Sequence, residues 1–223
     1  MEKAYRGVIF DFNGTLFFDN DKHILAWGEI SKMLRGRGIT EEELLEHFNG
    51  VPNQKIVSYL LGREGSEEEI EKYSQLKEEL YRRFCLEDKE NFHLVDGAEE
   101  FFDYLKEKGI PFTIASASIK ANIDFFVQEF KLRKWMNPED IVYDNGSYEN
   151  KIAMFQDAAK KLGAEIKECM IVEDSVSGIS SGYMAGCRNI IVIDSSNRAE
   201  EYKELPGVIK VIQDFRNYKS LNG

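Results

Sequence analysis

The feature that most constrains the fold is an alternation of short apolar, β-branched runs with helical patterns. Five such runs begin at Gly7, Phe112, Ile141, Met170 and Ile190. Each is apolar at consecutive positions, which is typical of strands covered on both faces of a parallel sheet. Residues 98–105 and 152–162 carry apolar side chains at the spacing of one helix face. The sequence therefore predicts an α/β fold with a doubly wound parallel sheet.

One long stretch breaks this alternation. Between Asn20 and Glu90 the patterns are all helical, with breaks at 36–38, 50–52 and 62–66. We therefore expect a sheet domain of residues 1–18 and 91–223, and an inserted all-helical cap domain of residues 19–90. Ligands of an open α/β sheet bind beyond the carboxyl ends of its strands. A helical insert that follows the first strand is thus expected to form a lid over the site.

Charge and hydropathy exclude several classes of protein. The chain has 40 acidic and 29 basic residues, a formal charge of −11, and such a surface repels phosphate backbones and anionic membranes. No run of about 18 apolar residues could span a membrane, and the N-terminus lacks the apolar core of a signal peptide. We expect a cytoplasmic monomer or weak dimer that binds neither nucleic acid nor membrane.

The three cysteines are Cys85, Cys169 and Cys187, and none forms a Cys-x-x-Cys pair. This spacing argues against a disulfide framework and against a zinc site. We expect buried free thiols.

Acidic residues follow two of the predicted strands. Asp11 comes directly after the first strand, and Gly14 allows a tight turn beyond it. Glu173 and Asp174 come directly after the fourth strand, and adjacent carboxylates repel each other unless a cation lies between them. Asp11 and Asp174, brought together at neighbouring strand ends, would form an oxygen site suited to Mg²⁺.

Groups suited to phosphate follow the second and third strands. The second strand ends in Ala115-Ser116-Ala117-Ser118, and a hydroxyl with backbone N–H groups at a helix start can hold a phosphate. Lys151 lies near the start of the next helix and could neutralise negative charge there. These positions predict a small phosphorylated metabolite as the ligand.

These motifs, in this order, resemble the haloacid dehalogenase (HAD) superfamily, and more narrowly its β-phosphoglucomutase and small-phosphatase branch. The resemblance covers nearly the whole chain. It rests on Asp11-x-x-Gly14-Thr15, on His23-x-x-Ala26-Trp27, on Phe48-Asn49-Gly50-Val51-Pro52, and on Glu173-Asp174-Ser175-x-x-Gly178.

The resemblance implies a role for each matching residue. Asp11 would be the nucleophile that forms an aspartyl-phosphate. The Mg²⁺ ligands would be Asp11, the backbone carbonyl of Asn13, Asp174 and the neighbouring Glu173. Ser116 and Ala117 would bind the phosphoryl group, and Lys151 would balance its charge. The substrate contacts of the helical domain would be His23, Gly50, Asn53 and Lys55.

Two departures from the family pattern matter. The family has Asp as general acid and base two residues after the nucleophile, where this chain has Asn13. An amide cannot donate and recover a proton, and losing such a group typically costs about 10²–10⁴-fold in rate. Counting back from Ala158-Ala159, the usual lysine position falls on Glu149. This leaves Lys120 as an alternative to Lys151.

Three explanations of Asn13 stay open: a slow enzyme that uses another acid, with His23 the nearest candidate; a binding protein that has lost catalysis; or an introduced Asp→Asn substitution.

The leading hypothesis is a Mg²⁺-dependent phosphohydrolase of a small phosphorylated metabolite, with a sugar phosphate as the candidate substrate. The alternatives are a hexose-phosphate mutase and a catalytically silent phosphate-ligand binder. A fourth possibility is a Schiff base on Lys55, as in the related phosphonoacetaldehyde hydrolases. Their lysine spacing does not match this chain.

Overall fold

The computed structural model describes residues 5–48 and 50–221, which group into two compact units. One unit is Asp19–Phe92 and is helical. The other contains residues 5–18 and 93–221 and is built around a sheet. Asn49 of the predicted cap loop lies outside the described residues.

The helical unit is built from the four helices found in its described residues. They are α1 (Asn20–Arg35), α2 (Glu41–His47), α3 (Asn53–Leu61) and α4 (Glu67–Glu87). Thr40 with Glu43, and Ser66 with Glu69, form capping boxes at the starts of α2 and α4. In each box the hydroxyl and the carboxylate accept backbone N–H groups that have no partner inside the helix. Local sequence therefore sets where these two helices begin.

In the described part of the other unit, six parallel strands form one sheet. They are β1 (Gly7–Phe10), β2 (Phe112–Ile119), β3 (Val142–Asp144), β4 (Cys169–Glu173), β5 (Ile190–Ile193) and β6 (Val208–Ile212). The spatial order is β3-β2-β1-β4-β5-β6, so the direction of winding reverses between β1 and β4. This order defines a doubly wound, Rossmann-like fold. The predicted fold class is confirmed.

Helices cover both faces of this sheet. The helices of the unit are α5 (Ala98–Glu107), α6 (Lys120–Glu129), α7 (Lys151–Lys161), α8 (Val176–Ala185) and α9 (Ala199–Lys203). Successive strand residues point to opposite faces. Ile9 accordingly packs in one cluster with Phe155 of α7, whereas the Phe10 ring meets Phe101 and Phe102 of α5 at 5.8 and 5.3 Å. Burial on both faces explains why the central strands are apolar throughout.

Strand β6 was missed by the sequence patterns. It lies at an edge of the sheet and is only partly buried, and Lys210 interrupts its apolar run. None of the residues of β6 is fully buried, so few of its positions must be apolar and its signal in the sequence is weak.

Two simpler expectations can be compared with the structure. All three cysteines are buried free thiols, as predicted. Among the described residues, none of the helices combines the length and the apolar character needed to cross a membrane.

Candidate active site

Asp11 and Glu173 meet because β1 and β4 are neighbours in register. Phe10 pairs with Val172, so Asp11, which follows β1, and Glu173, the last residue of β4, emerge at the same edge of the sheet. The backbone N–H of Asp11 donates to the Val172 carbonyl at 2.9 Å. This edge is the point where the strand order reverses, which is where ligands bind in open α/β sheets.

Three carboxylates gather at this point. Oxygens of Asp11, Glu173 and Asp174 all lie within 4.8 Å of one another, and Asp11 and Glu173 are buried. Lys151, the first residue of α7, donates from its ammonium to Asp11 Oδ1 at 2.7 Å and to Glu173 Oε1. One ammonium against three carboxylates leaves an excess of two negative charges when all three are ionised. That excess equals the charge of one divalent cation.

The close approach of these charged groups shifts their pKa values. Burial, with the charges of Glu173 and Asp11, raises the pKa of Asp174 to about 8. Burial by itself would lower the pKa of Lys151, but Asp11 and Glu173 outweigh it and raise this pKa overall. Lys151 is therefore a permanent cation, and a metal ion would compete with a proton for Asp174.

Glu173 is fixed by the turn that it precedes. Its Oε2 accepts from the backbone N–H groups of Asp174 and Ser175, each at 2.8 Å, and from the Ser175 hydroxyl at 3.0 Å. A Cβ atom on Gly178 would lie 1.7 Å from Glu173 Oε1. Only glycine leaves room for this carboxylate beneath the first turn of α8. The spacing of the Glu-Asp-Ser-x-x-Gly motif indicates this glycine requirement in the sequence, but no role was predicted for Ser175 or Gly178.

The turn after Asp11 holds Asp174. Gly14 has a φ of 80°, and a Cβ there would lie 2.3 Å from Asp174 Oδ2. Thr15 donates from its hydroxyl to Asp174 Oδ1 at 3.2 Å. The ring of Phe12 anchors the same turn, stacked on Phe126 of α6 at a centroid distance of 4.1 Å. Thr15 belongs to the Asp-x-x-Gly-Thr motif, but no role for its hydroxyl was predicted.

Asn13 is held through its amide oxygen. Ser118 donates from its hydroxyl to Asn13 Oδ1 at 2.6 Å, and Ser116 does so at 3.4 Å. The Ser118 contact was not predicted, because nothing in the sequence indicates which hydroxyl reaches the amide.

One expectation about Ser116 is wrong. Strand β2 continues to Ile119, which is also the N-cap of α6, so Ser116 lies inside the strand and not at a helix start. Its hydroxyl instead accepts from the backbone N–H of Ser118 at 3.1 Å. Ala117, the neighbouring residue, is exposed.

The two candidate lysines are placed very differently. Lys151 contacts Asp11, as described, whereas Lys120 is exposed and pairs with Asp124 one turn along α6, at 2.6 and 2.7 Å. The structure therefore brings Lys151 and not Lys120 to the carboxylates.

The substrate residues expected in the helical unit divide in the same way. His23, Gly50 and Asn53 line a cavity of about 210 Å³ inside that unit, together with Trp27 and Lys77. Lys55 is exposed on α3 and is not among the described residues that line the cavity. Lys77 was missed, because its helical spacing in a charged segment is that of a surface residue.

The fold and the site define an α/β protein with a cluster of three carboxylates at the switch point of its sheet. The model of the haloacid dehalogenase-like hydrolases matches residues 5–186. The chain therefore belongs to the haloacid dehalogenase-like hydrolase family, as its motifs indicated.

Solved and curated relatives agree with this assignment. The crystal structure of a HAD hydrolase, family IA, variant 3, from Entamoeba histolytica HM-1:IMSS has a TM-score of 0.89 and 36% identity, covering 95% of this chain and 94% of that one. Hexitol phosphatase A of Escherichia coli (strain K12) is 25% identical over 224 residues, 98% of this chain and 96% of the relative.

A third relative is longer than this chain. The bifunctional riboflavin kinase/FMN phosphatase of Arabidopsis thaliana is 26% identical over 148 residues. The match spans 65% of this chain but only 38% of that protein.

Proposed function

We propose that the protein is a Mg²⁺-dependent phosphomonoester hydrolase that acts on a small phosphorylated metabolite of the sugar-phosphate and polyol-phosphate class. The observation that carries the proposal is the buried group of Asp11, Glu173 and Asp174 with Lys151 bonded to two of them. The curated relatives described above are named phosphatases, which favours hydrolysis over a mutase reaction.

The donor set fits a magnesium ion. Mg²⁺ prefers oxygen ligands and is usually held through one or two carboxylates. Asp11 and Asp174 would hold it together with the backbone carbonyl of Asn13. Glu173, whose oxygens already accept four hydrogen bonds, would orient Lys151 and the Asp174 turn. When bound, the ion supplies positive charge next to the transferring phosphoryl group.

The protein's own residues would perform the transfer. A carboxylate oxygen of Asp11 attacks phosphorus, and an O–P bond to Asp11 forms as the ester O–P bond breaks. Lys151 stabilises the charge on the phosphoryl oxygens, and Ser116 donates to one of them. Water then attacks the aspartyl-phosphate, which releases inorganic phosphate and restores Asp11.

Asn13 makes the proton transfers slow. The leaving alkoxide needs a proton, and the attacking water must lose one, yet an amide supports neither step. The hydrogen bond from Ser118 holds the Asn13 side chain in place, and this amide exchanges no protons with a bound ligand. The same observation favours a second candidate function: a protein that binds a phosphorylated ligand and turns it over very slowly.

Phosphate release from a panel of sugar and polyol monophosphates with Mg²⁺ tests both candidates. We expect the Asn13→Asp variant to raise kcat by about 10²–10⁴-fold, because it supplies the missing acid and base. Asn145→Asp makes the same change at an exposed loop residue and should leave kcat unaltered. If neither the unmodified chain nor the Asn13→Asp variant releases measurable phosphate, the hydrolase proposal is wrong.

A further inference from the structure

Asn13 is followed directly by Gly14, and an Asn-Gly pair can modify itself. The backbone nitrogen of the glycine can attack the side-chain amide carbon of the asparagine, because glycine has no side chain to hinder the approach. The ring that closes has five members, and water reopens it to an acid. Asn13 is therefore a candidate for conversion to aspartate, which is the change that we expect to raise kcat.

The contacts of the Asn13 amide favour this attack. Its Oδ1 accepts from the Ser118 hydroxyl at 2.6 Å and from the Ser116 hydroxyl at 3.4 Å. Negative charge builds up on this oxygen when a nucleophile adds to Cγ, and hydrogen-bond donors that are already in place stabilise such charge. The same donors would bind the product carboxylate, and a hydrogen bond to a charged acceptor is stronger than one to an amide.

One hydrogen bond of the turn opposes the attack. The Gly14 N–H donates to the Phe17 carbonyl at 2.8 Å, so this bond must open before the nitrogen can react. Asn13 and Gly14 are both only partly buried, so water can reach them. Opening a single turn needs no unfolding of the sheet unit. We therefore expect the conversion to be slow but to take place in the folded chain.

The reaction is a hydrolysis in two steps. In the first, a bond forms between the Gly14 nitrogen and Asn13 Cγ, the Cγ–Nδ2 bond breaks, and Nδ2 leaves as ammonia with the proton of the Gly14 N–H. In the second, water adds to Cγ of this succinimide, the bond to the Gly14 nitrogen breaks, and that nitrogen recovers a proton from the water. Asparagine and water thus give aspartic acid and ammonia, with no oxidant, reductant or other co-reactant.

The fold favours aspartate over its isomer. If water adds to the backbone carbonyl of the succinimide, the chain runs through Cγ as isoaspartate, with one more carbon atom in its backbone. That longer backbone would have to fit a turn in which Gly14 bonds to Phe17 and Thr15 donates to the Phe12 carbonyl at 3.2 Å. The Phe12 ring, stacked on Phe126, anchors the same turn. Addition at Cγ restores the original backbone, so we expect mainly aspartate.

We propose that Asn13 is a self-modification site: in the folded chain, with the Ser118 hydroxyl polarising its amide, it loses ammonia spontaneously and becomes the aspartate that supplies the missing acid and base. The protein would then be made in a slow form and would become active with time. This gain of activity rests on the proposed function, whereas the conversion itself does not.

Peptide mass spectrometry can follow the conversion in the full chain, incubated for four weeks at pH 8 and 37 °C. We expect the peptide that contains residue 13 to gain the mass difference between an amide and an acid, with aspartate as the main isomer. Phosphate release with Mg²⁺ should rise in parallel, by up to about 10²–10⁴-fold, toward the value of the Asn13→Asp variant. Asn13→Gln, whose longer side chain closes a ring less readily, should show neither change.

Ser118→Ala tests the role of the hydroxyl. Its loss should slow the conversion of Asn13 about fivefold, which is the effect of one hydrogen bond of ordinary strength. The pair Asn145-Gly146 offers a matched control, because Asn145 is exposed and its Oδ1 accepts from the Ser147 hydroxyl at 2.5 Å. Ser147→Ala removes that equivalent hydrogen bond and should leave the rate at Asn13 unaltered. Equal rates at Asn13 in Ser118→Ala and in the unmodified chain would overturn the proposal.

The proposal is also overturned if residue 13 is still asparagine after the incubation, or is mainly isoaspartate. If a variant does not fold, the mass measurement on the unmodified chain decides. The same measurement separates this proposal from the hydrolase proposal. Conversion to aspartate without any phosphate release would support the modification and contradict hydrolysis. Phosphate release by Asn13→Asp, while residue 13 of the unmodified chain stays asparagine, would do the opposite.

Discussion

Two glycines set how closely the site carboxylates approach the backbone. Gly14 leaves room for Asp174, and Gly178 leaves room for Glu173, with hypothetical Cβ distances of 2.3 and 1.7 Å. The Glu173 carboxylate cannot easily move away, because Lys151 and the turn at Ser175 hold both of its oxygens. The glycines of these two motifs therefore matter because they leave room for a neighbouring carboxylate, in addition to their effect on backbone conformation.

Gly178→Ala tests this account. The added methyl must displace Glu173, and overpacking of this kind typically costs about 1–3 kcal/mol. We expect a lower free energy of unfolding in urea, together with weaker Mg²⁺ binding by calorimetry. Gly28→Ala is the matched control, because Gly28 is also helical and a Cβ added there would meet no neighbouring residue within 4 Å outside its own helix backbone. That change should stabilise the protein by about 0.4–1 kcal/mol. Equal effects of the two variants would contradict the role given to Gly178.

Among elements, helix α1 and the C-terminal end of α4 are joined by an ion pair between a buried lysine and a half-buried aspartate. Lys22 of α1 is 2% exposed and bonds to Asp88, which caps the C-terminus of α4, and to the neighbouring Asp21. The hydrogen bond from Lys22, assisted by Asn91, lowers the pKa of Asp88 to about 2 from its ordinary value of 3.8. A carboxyl with a lowered pKa in the folded state stabilises the fold where it is ionised.

This pair predicts a pH dependence. Because the folded pKa is below the unfolded one, the contribution of Asp88 is fully present above about pH 4 and is lost as the pH falls through 2. We expect Asp88→Asn to lower the free energy of unfolding at pH 6, and the gap from the unmodified chain to narrow at pH 3. Asp124→Asn, at an exposed pair with Lys120, should have a smaller effect. A gap that stays constant with pH would contradict this assignment.

At the scale of the whole molecule, each compact unit has its own buried core and its own buried thiols. Cys85 lies in the helical unit, whereas Cys169 and Cys187 lie in the sheet unit. Burial raises the pKa of Cys85 and of Cys169 to about 12, and it also raises that of Cys187. Since the thiolate is the reactive form, burial and high pKa should both suppress reaction.

We therefore expect the native protein not to react with Ellman's reagent at pH 8, and three thiols to react after unfolding in urea. A Cys85→Ser variant should lose one of the three and report on the sheet unit alone. Rapid reaction of a thiol in the native protein would contradict the burial described for its unit.

Most of the fold was predictable because its signals are local. Consecutive apolar runs identified the five best-covered strands, and the helical spacings with their breaks identified the inserted helices. The capping boxes at Thr40 and Ser66 are likewise local in sequence. Strand β6 was missed because none of its residues is fully buried and Lys210 interrupts its apolar run. Backbone pairing with the neighbouring strand β5 contributes to the strand structure of β6 as much as the sequence of β6 does.

The sequence by itself determined the doubly wound fold, the family, and the acidic residues at the ends of β1 and β4, because a buried strand must be apolar and a charge can stand only where the strand ends. Tertiary structure decided which side chains meet. It brought Lys151 rather than Lys120 to Asp11, Ser118 to Asn13, and Lys77 to His23. These contacts join residues up to 140 positions apart in the chain, and no local pattern encodes such distances.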